Sequence, residues 1–325
     1  MVQDSRAAEH LAQIRQAAVR IGPHVRRTPL LRGDISAGLM VKPESLQRTG
    51  SFKARGAFNA VLSLIAREPD VAGVVTHSSG NHGQAVACAA QVAGLWATIV
   101  VPEGVTPAKV EGIRSFGATL VSDGVTYDNR EEIAEEIARS EGLHLIHPYD
   151  DWDVVHGAGT VGLEILEDTR APGAVVVPVG GGGQISGIAL AITALSPATA
   201  IIGVEPEAAD DAARSLRSGV LQTLAADPAT LAEGVKSRSI GNRNFEVIVG
   251  DALVRDIVTV SEDELENALR VCWTRLKLAI EPTAALALAA YLTGRVPPGS
   301  EDHPTVIVLS GGNFDPATVA ALLSA

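Results

Sequence analysis

Four short stretches of the chain combine residue types able to do chemistry. The first, residues 179–187 (VGGGGQISG), sets four glycines between an apolar run and an alanine-rich one. Glycine permits backbone angles closed to other residues, so several amide N–H groups can converge on one anion. A helix starting there adds its positive end. A tight turn without a ligand would need only one glycine. The dinucleotide spacing G-x-G-x-x-G/A fails, because Ile185 or Ser186 stands where its last small residue belongs, and Ile188 stands where a P-loop lysine would follow Gly187. A compact phosphate without a nucleotide fits best. Two further stretches, 78–83 (SSGNHG) and 310–313 (SGGN), offer hydroxyls, an amide side chain and glycine-freed N–H groups after apolar runs. These are ordinary turn residues, and their recurrence suggests one shared crevice. The fourth stretch is 49–56 (TGSFKARG). Ser51 is a candidate N-cap, which puts Lys53 in the first helical turn, where the dipole disfavours a cation. A lysine with a lowered pKa suits a nucleophilic amine that forms a Schiff base, although on spacing alone a solvated lysine explains it better.

The elements that must position these stretches alternate. Apolar runs at 71–77, 95–101, 118–121 and 143–147 read as strands, with helices at 84–93, 107–116 and 127–140 between them. The alternation resumes with strands at 174–179 and 200–204 around a helix at 184–195. Ser261 and Glu264 form a capping box for a helix to about residue 276, and a last strand lies at 305–309. This is an α/β pattern of three layers with mostly parallel sheets and ligands at the carboxyl ends of the strands. With 26 Lys+Arg against 38 Asp+Glu the net charge is −12, which argues against nucleic acid or an acidic membrane as partner. Cys88 and Cys272 lie far apart in helical patterns and read as buried thiols. No run is long enough to span a membrane, and the first 16 residues (MVQDSRAAEHLAQIRQ) have no apolar targeting core, so the expected location is the cytoplasm.

Together TGSFKARGA, SSGNHGQA, GGGGQISG, GVEP and LSGGN resemble the pyridoxal-phosphate enzymes of the tryptophan-synthase-β type, fold type II, and within them the serine/threonine dehydratase and serine racemase group. The motifs run in family order from Val41 to Asn313. His82 separates this group from cysteine synthases, whose loop carries a threonine after the asparagine. The resemblance implies a large cofactor-binding domain (1–72 and 149–325), a small mobile domain (73–148) and the cofactor in the cleft between them. It implies that Lys53 carries pyridoxal 5'-phosphate and moves the substrate's α-proton. Phe52 would pack on the pyridine ring, Asn81 would bond the ring hydroxyl, Gly180, Gly181, Gly182 and Gly183 would hold the phosphate, and Ser310 would face the pyridine nitrogen. Ser78, Ser79, Gly80 and His82 would receive the substrate carboxylate.

The implied activity is a dehydratase (ammonia-lyase) that removes the β-hydroxyl of serine or threonine to give a 2-oxo acid and ammonia, in a homodimer. Serine racemase with side elimination, or 3-hydroxyaspartate dehydratase, is the alternative. Ser79 matches the hydroxyl that faces the substrate opposite the lysine in racemases, although it could merely cap the following helix. Glu205, Ala209 and Asp211 resemble that branch's Mg²⁺ or Ca²⁺ site, against the plain reading of an acidic helix start. Arg130 matches an arginine near the substrate in racemases and hydroxyaspartate dehydratases, or belongs to a charged helix face. His156 replaces a usual glutamine and Gln184 a usual apolar residue. A nucleotide-binding redox protein using Glu205 is the rival from another class.

Overall fold

The structure, a computed structural model, describes residues 2–169 and 171–324. The chain opens with α1 (Val2–Ile21), β1 (Leu31–Arg32), β2 (Leu39–Pro43) and α2 (Lys53–Arg67). Then follow β3 (Gly73–His77), α3 (Asn81–Ala93), β4 (Trp96–Val100), α4 (Pro107–Arg114), β5 (Thr119–Val121), α5 (Arg130–Glu141) and β6 (His144–Leu145). The next run is α6 (Trp152–Asp168), β7 (Ala174–Pro178), α7 (Gly183–Leu195), β8 (Ala200–Pro206), α8 (Asp211–Ser218) and α9 (Asn242–Phe245). The chain closes with β9 (Asp256–Val260), α10 (Glu262–Val271), α11 (Pro282–Leu292), β10 (Thr305–Leu309) and α12 (Pro316–Ser324).

Two sheets result. A four-stranded sheet, β5-β4-β3-β6, is parallel throughout. A six-stranded sheet, β1-β2-β10-β7-β8-β9, is parallel except where β1 meets β2. Strands such as β7 (AVVVP) are buried along their whole length, as parallel strands covered on both faces must be. Alternation sends Ala174 and Val176 into one core with α11, and Val175 and Val177 into another with α7. In the smaller sheet Val74 and Val75 divide in the same way. These are two αβα sandwiches with mostly parallel sheets. Cys88 and Cys272 are buried free thiols, and among the described residues no helix is long and apolar enough to cross a membrane.

Local chemistry moves some boundaries. The helix expected from 127 starts at Arg130, because Asn129 holds 124–129 as a loop, accepting from Thr126 N (2.7 Å) and donating to Gly124 O (3.0 Å). The helix opened by the Ser261–Glu264 capping box continues past Val271 as a π-helical turn, Cys272–Leu276, and stops at Lys277 in the left-handed region. Both sheets direct their strand ends, and hence the loops 78–83, 180–183 and 310–313, toward the same region.

Candidate active site

Lys53 is the first residue of α2, but Ser51 is not its cap. The N-cap is Phe52, which makes no side-chain cap bond, while Ser51 pairs by its backbone with Gly311 and leaves its hydroxyl buried without a partner. The chain reaches Lys53 through a left-handed pair, Thr49 (φ 59°) and Gly50 (φ 74°). Asn313 packs on Gly50 and donates to Thr49 O (2.7 Å) and Asn81 Oδ1 (2.8 Å), while Phe52 N donates to Ser310 O (3.0 Å). Loops 49–52, 78–81 and 310–313 are thereby joined. The Lys53 amine donates to Pro148 O (2.8 Å). Desolvation lowers its pKa to about 8, against the opposing pull of Glu281. Glu281 went unnoticed in the sequence. Its buried carboxylate accepts from Asn81 Nδ2 with both oxygens (2.9 and 3.1 Å), and burial raises it to about 7.

Phe52, Lys53, Tyr149, Gly180, Gly181, Gly182, Gly183 and Ser310 line one cavity. Each glycine also has a packing reason. Gly182 adopts φ +90°, and a Cβ on Gly181 would run into the Tyr149 ring. α7 begins at Gly183 without a side-chain cap, so its first N–H groups are left for a ligand. The Ser310 hydroxyl and the Gln184 amide nitrogen are buried without partners. An enclosed amine, an anion cradle and an orphaned hydroxyl around one cavity are a donor set that fits a phosphorylated pyridine aldehyde such as pyridoxal phosphate. Tyr149 and Asn244, which ties Tyr149 O (3.0 Å) to Gly181 O (2.7 Å), were also missed, since neither lies near a motif.

The loop before α3 is less tied. Ser78 Oγ accepts from Gly80 N (3.3 Å), and a Cβ on Gly80 would meet nothing within 4 Å. Ser79 is half-buried, does not cap α3 and makes no side-chain hydrogen bond among the described residues. His82 is buried with Nδ1 unpaired, and burial, then the Lys53 charge, holds its pKa well below the usual histidine value, so it is neutral. Arg130 heads α5 with its guanidinium 5.0 Å from the Tyr127 ring centroid and no carboxylate partner among the described residues, unlike a member of a paired charged face. It does not line the cavity. His156 is buried in α6 and hydrogen-bonded to His10 (3.0 Å).

Glu205 lies one residue before the end of β8, and its oxygens accept from Ala212 N (3.0 Å) and Ala213 N (2.8 Å) at the start of α8. Asp211, buried beside it, has an unpaired Oδ2, and Ala209 is buried in the turn between them. Burial and mutual repulsion push Glu205 well above the carboxylate range, and burial pushes Asp211 up to about 7. A hard divalent cation would relieve that strain as a proton does.

A family model described as pyridoxal-phosphate dependent enzyme matches residues 21–311. The chain is 43% identical to a serine racemase of Arabidopsis thaliana, over 95% of this chain and 94% of that protein. It is 42% identical to an L-threo-3-hydroxyaspartate ammonia-lyase of a Pseudomonas species, over 95% and 96%. Among solved structures, a threonine deaminase of T.th. superposes with a TM-score of 0.87 at 46% identity, covering 94% of this chain and 98% of that one.

Proposed function

The chain belongs to the pyridoxal-phosphate dependent enzyme family, and from that premise we propose that it acts on β-hydroxy-α-amino acids, serine first, exchanging the α-proton and eliminating the β-hydroxyl at one site. Bound pyridoxal phosphate supplies the electron sink that weakens the bond to the α-hydrogen. The protein's own part is to hold, orient and move protons. Lys53 would carry the cofactor and would take the α-proton, and burial, which lowers the free amine to about 8, favours the deprotonated form that duty needs. Phe52 would pack on the ring, Asn81, held by Glu281, would serve the ring hydroxyl, and Ser310 would offer its unpaired hydroxyl to the pyridine nitrogen. Gly180, Gly181, Gly182, Gly183 and the start of α7 hold the phosphate. Ser78, Gly80 and His82, with the N-terminus of α3, receive the substrate carboxylate.

The observation that carries the choice is Ser79. Elimination needs one acid/base group, whereas racemisation needs a second on the opposite face. A hydroxyl that caps nothing and bonds nothing among the described residues is free for that duty. Serine racemisation with accompanying elimination to a 2-oxo acid and ammonia is therefore favoured over elimination alone. Glu205, Ala209 and Asp211 take a Mg²⁺ or Ca²⁺ ion that stabilises the fold. In the same reading residues 73–148 close over the cleft, and the enzyme is a cytoplasmic homodimer.

The unpaired Arg130 favours a second substrate, a 3-hydroxyaspartate whose extra carboxylate it would meet after closure. A panel of L-serine, L-threonine, D-serine and 3-hydroxyaspartate, followed for 2-oxo acid and for chirality with Mg²⁺ and with chelator, tests both. D-serine and 2-oxo acid from L-serine support the main reading. Turnover of hydroxyaspartate alone would replace it. Arg130→Ala should then raise KM for hydroxyaspartate about tenfold, as loss of a charge-assisted bond does, and leave serine unchanged.

A further inference from the structure

The turn 147–150 touches the cofactor wall at Lys53 and at the glycine loop. Pro148 O receives the Lys53 amine (2.8 Å), the Tyr149 ring lies over Gly181, and Asp150 Oδ1 accepts from Arg243 N (2.9 Å). Its shape depends on His147, whose Nδ1 accepts from the N–H groups of Asp150 (2.8 Å) and Tyr149 (3.3 Å). A neutral imidazole with Nδ1 so occupied carries its proton on Nε2. That nitrogen lies 3.3 Å from Glu131 Oε1, in the first turn of α5, and so turns its N–H toward the carboxylate. The bond from His147 is the largest of the effects that hold Glu131 below the usual carboxylate range.

His77, at the end of β3, stands edge-on to His147 with ring centroids 5.4 Å apart, buried and with both nitrogens unpaired. Burial pushes it down to about 4, so it brings no charge. His77, Glu131 and His147 offer ligand atoms within 4.8 Å of one another, a spacing that would suit a divalent cation. The backbone donors on His147 Nδ1 argue otherwise, because they leave the proton on the nitrogen that would have to bind the ion.

We propose that Glu131 and His147 are a positioning pair, through which the placement of α5 fixes the turn that receives the Lys53 amine and seats Tyr149 on the glycine loop. Neither touches the substrate. The inference rests on Lys53 being the reactive amine, and it adds the device that aims it. The titratable side chains facing that amine besides the turn are Glu281 from α11's start and His82 from α3, and the Phe52 ring lies 5.2 Å from it.

The test measures the pH midpoint and limiting rate for formation of the borohydride-reducible chromophore when apoenzyme takes up pyridoxal phosphate, together with kcat and KM. In His147→Leu the turn loses its acceptor, and Pro148 O no longer favours the protonated amine. The midpoint should fall by about half a unit and kcat about tenfold with KM within twofold, a cost in the range of small misplacements of a reacting group. In His147→Asn, Oδ1 stands near the place of Nδ1, so the midpoint and most of kcat should return. Glu131→Ala, on a half-exposed position that cannot touch the lysine, should shift the midpoint in the same direction by less.

A His147→Leu or Glu131→Ala protein with the wild-type midpoint and kcat would overturn the inference. Failure of His147→Asn to restore what His147→Leu loses would also overturn it, as would one Zn²⁺ bound per chain in wild type but not in His77→Ala. Should His147→Leu not fold, the Glu131→Ala midpoint alone decides. If wild-type apoenzyme takes up no cofactor at Lys53, it is the proposed function that fails.

Discussion

The cofactor cavity and the loop region carried by the four-stranded sheet differ in how their polar groups are satisfied. On the side carried by the six-stranded sheet, Asn313 ties Thr49 to Asn81, Glu281 grips the Asn81 amide, Phe52 is bonded to Ser310 O, and Asn244 ties Tyr149 to Gly181. The buried unpaired atoms among its lining residues are the Ser310 hydroxyl and the Gln184 amide nitrogen, and behind the lining the Thr49 and Ser51 hydroxyls and Asn244 Oδ1 are also without partners. On the four-stranded sheet, outside the cavity lining, Ser79 makes no side-chain hydrogen bond among the described residues, Arg130 has the Tyr127 ring but no carboxylate beside it, and Nδ1 of His82 is unpaired. A wall whose loops are tied to one another needs little reorganisation to hold a permanent cofactor. Groups without partners are those that a transient substrate can satisfy.

The largest effect expected from breaking this contrast is at Lys53. Lys53→Ala should abolish the borohydride-reducible chromophore and reduce turnover by more than the roughly 10²–10⁴-fold typical of a lost acid/base group, read by absorbance and 2-oxo acid release. Retained activity would contradict the account. One added methyl on each side sharpens the contrast next. Gly181→Ala collides with the Tyr149 ring and should lower the melting temperature by several degrees and weaken cofactor retention, at the roughly 1–3 kcal/mol that overpacking costs. Gly80→Ala has open space and should leave the melting curve unchanged while raising KM. Melting and kinetics that respond alike in both variants would dissolve the distinction.

The smallest effect is away from both walls. Burial pushes Asp211 up to about 7 in the fold and holds Glu205 well above the ordinary carboxylate range, so the folded chain keeps protons that the unfolded chain has released. Without a cation, stability should therefore fall as pH rises from the ordinary carboxylate range through about 7. Mg²⁺ or Ca²⁺ should raise the melting temperature by a few degrees at about pH 8, less at about pH 5.5, and not at all in Asp211→Asn. A shift that survives this substitution would place the ion elsewhere.

Much of this was legible in the sequence because the chemistry is carried by local punctuation. Apolar runs stop at glycine, serine and asparagine, and those stops became the three loops around the cavity. What was not legible depends on contacts between distant segments. Ser51 has the residue type of an N-cap, yet its backbone is claimed by Gly311, 260 positions away. Glu281 reads as the residue before a proline-led apolar helix, and only the meeting of α11 with α3 makes it the partner of Asn81. Tyr149 and His147 fall in a connecting turn without a motif, and their roles appear only when that turn is laid against α5 and the glycine loop. The glycine loop itself was read for its anion-binding amides, and its second duty, making room for Tyr149, required the fold.

The central claim is that one site both exchanges the α-proton and eliminates the hydroxyl, with Ser79 needed only for the first. L-serine incubated with wild type and with Ser79→Ala, and assayed in the same tubes for D-serine and 2-oxo acid, tests it most directly. Wild type should form both products. Ser79→Ala should lose D-serine formation about a hundredfold, as for a lost acid/base group, while 2-oxo acid release stays within a few-fold. D-serine formed by Ser79→Ala at the wild-type rate, or both products lost together, would contradict the account.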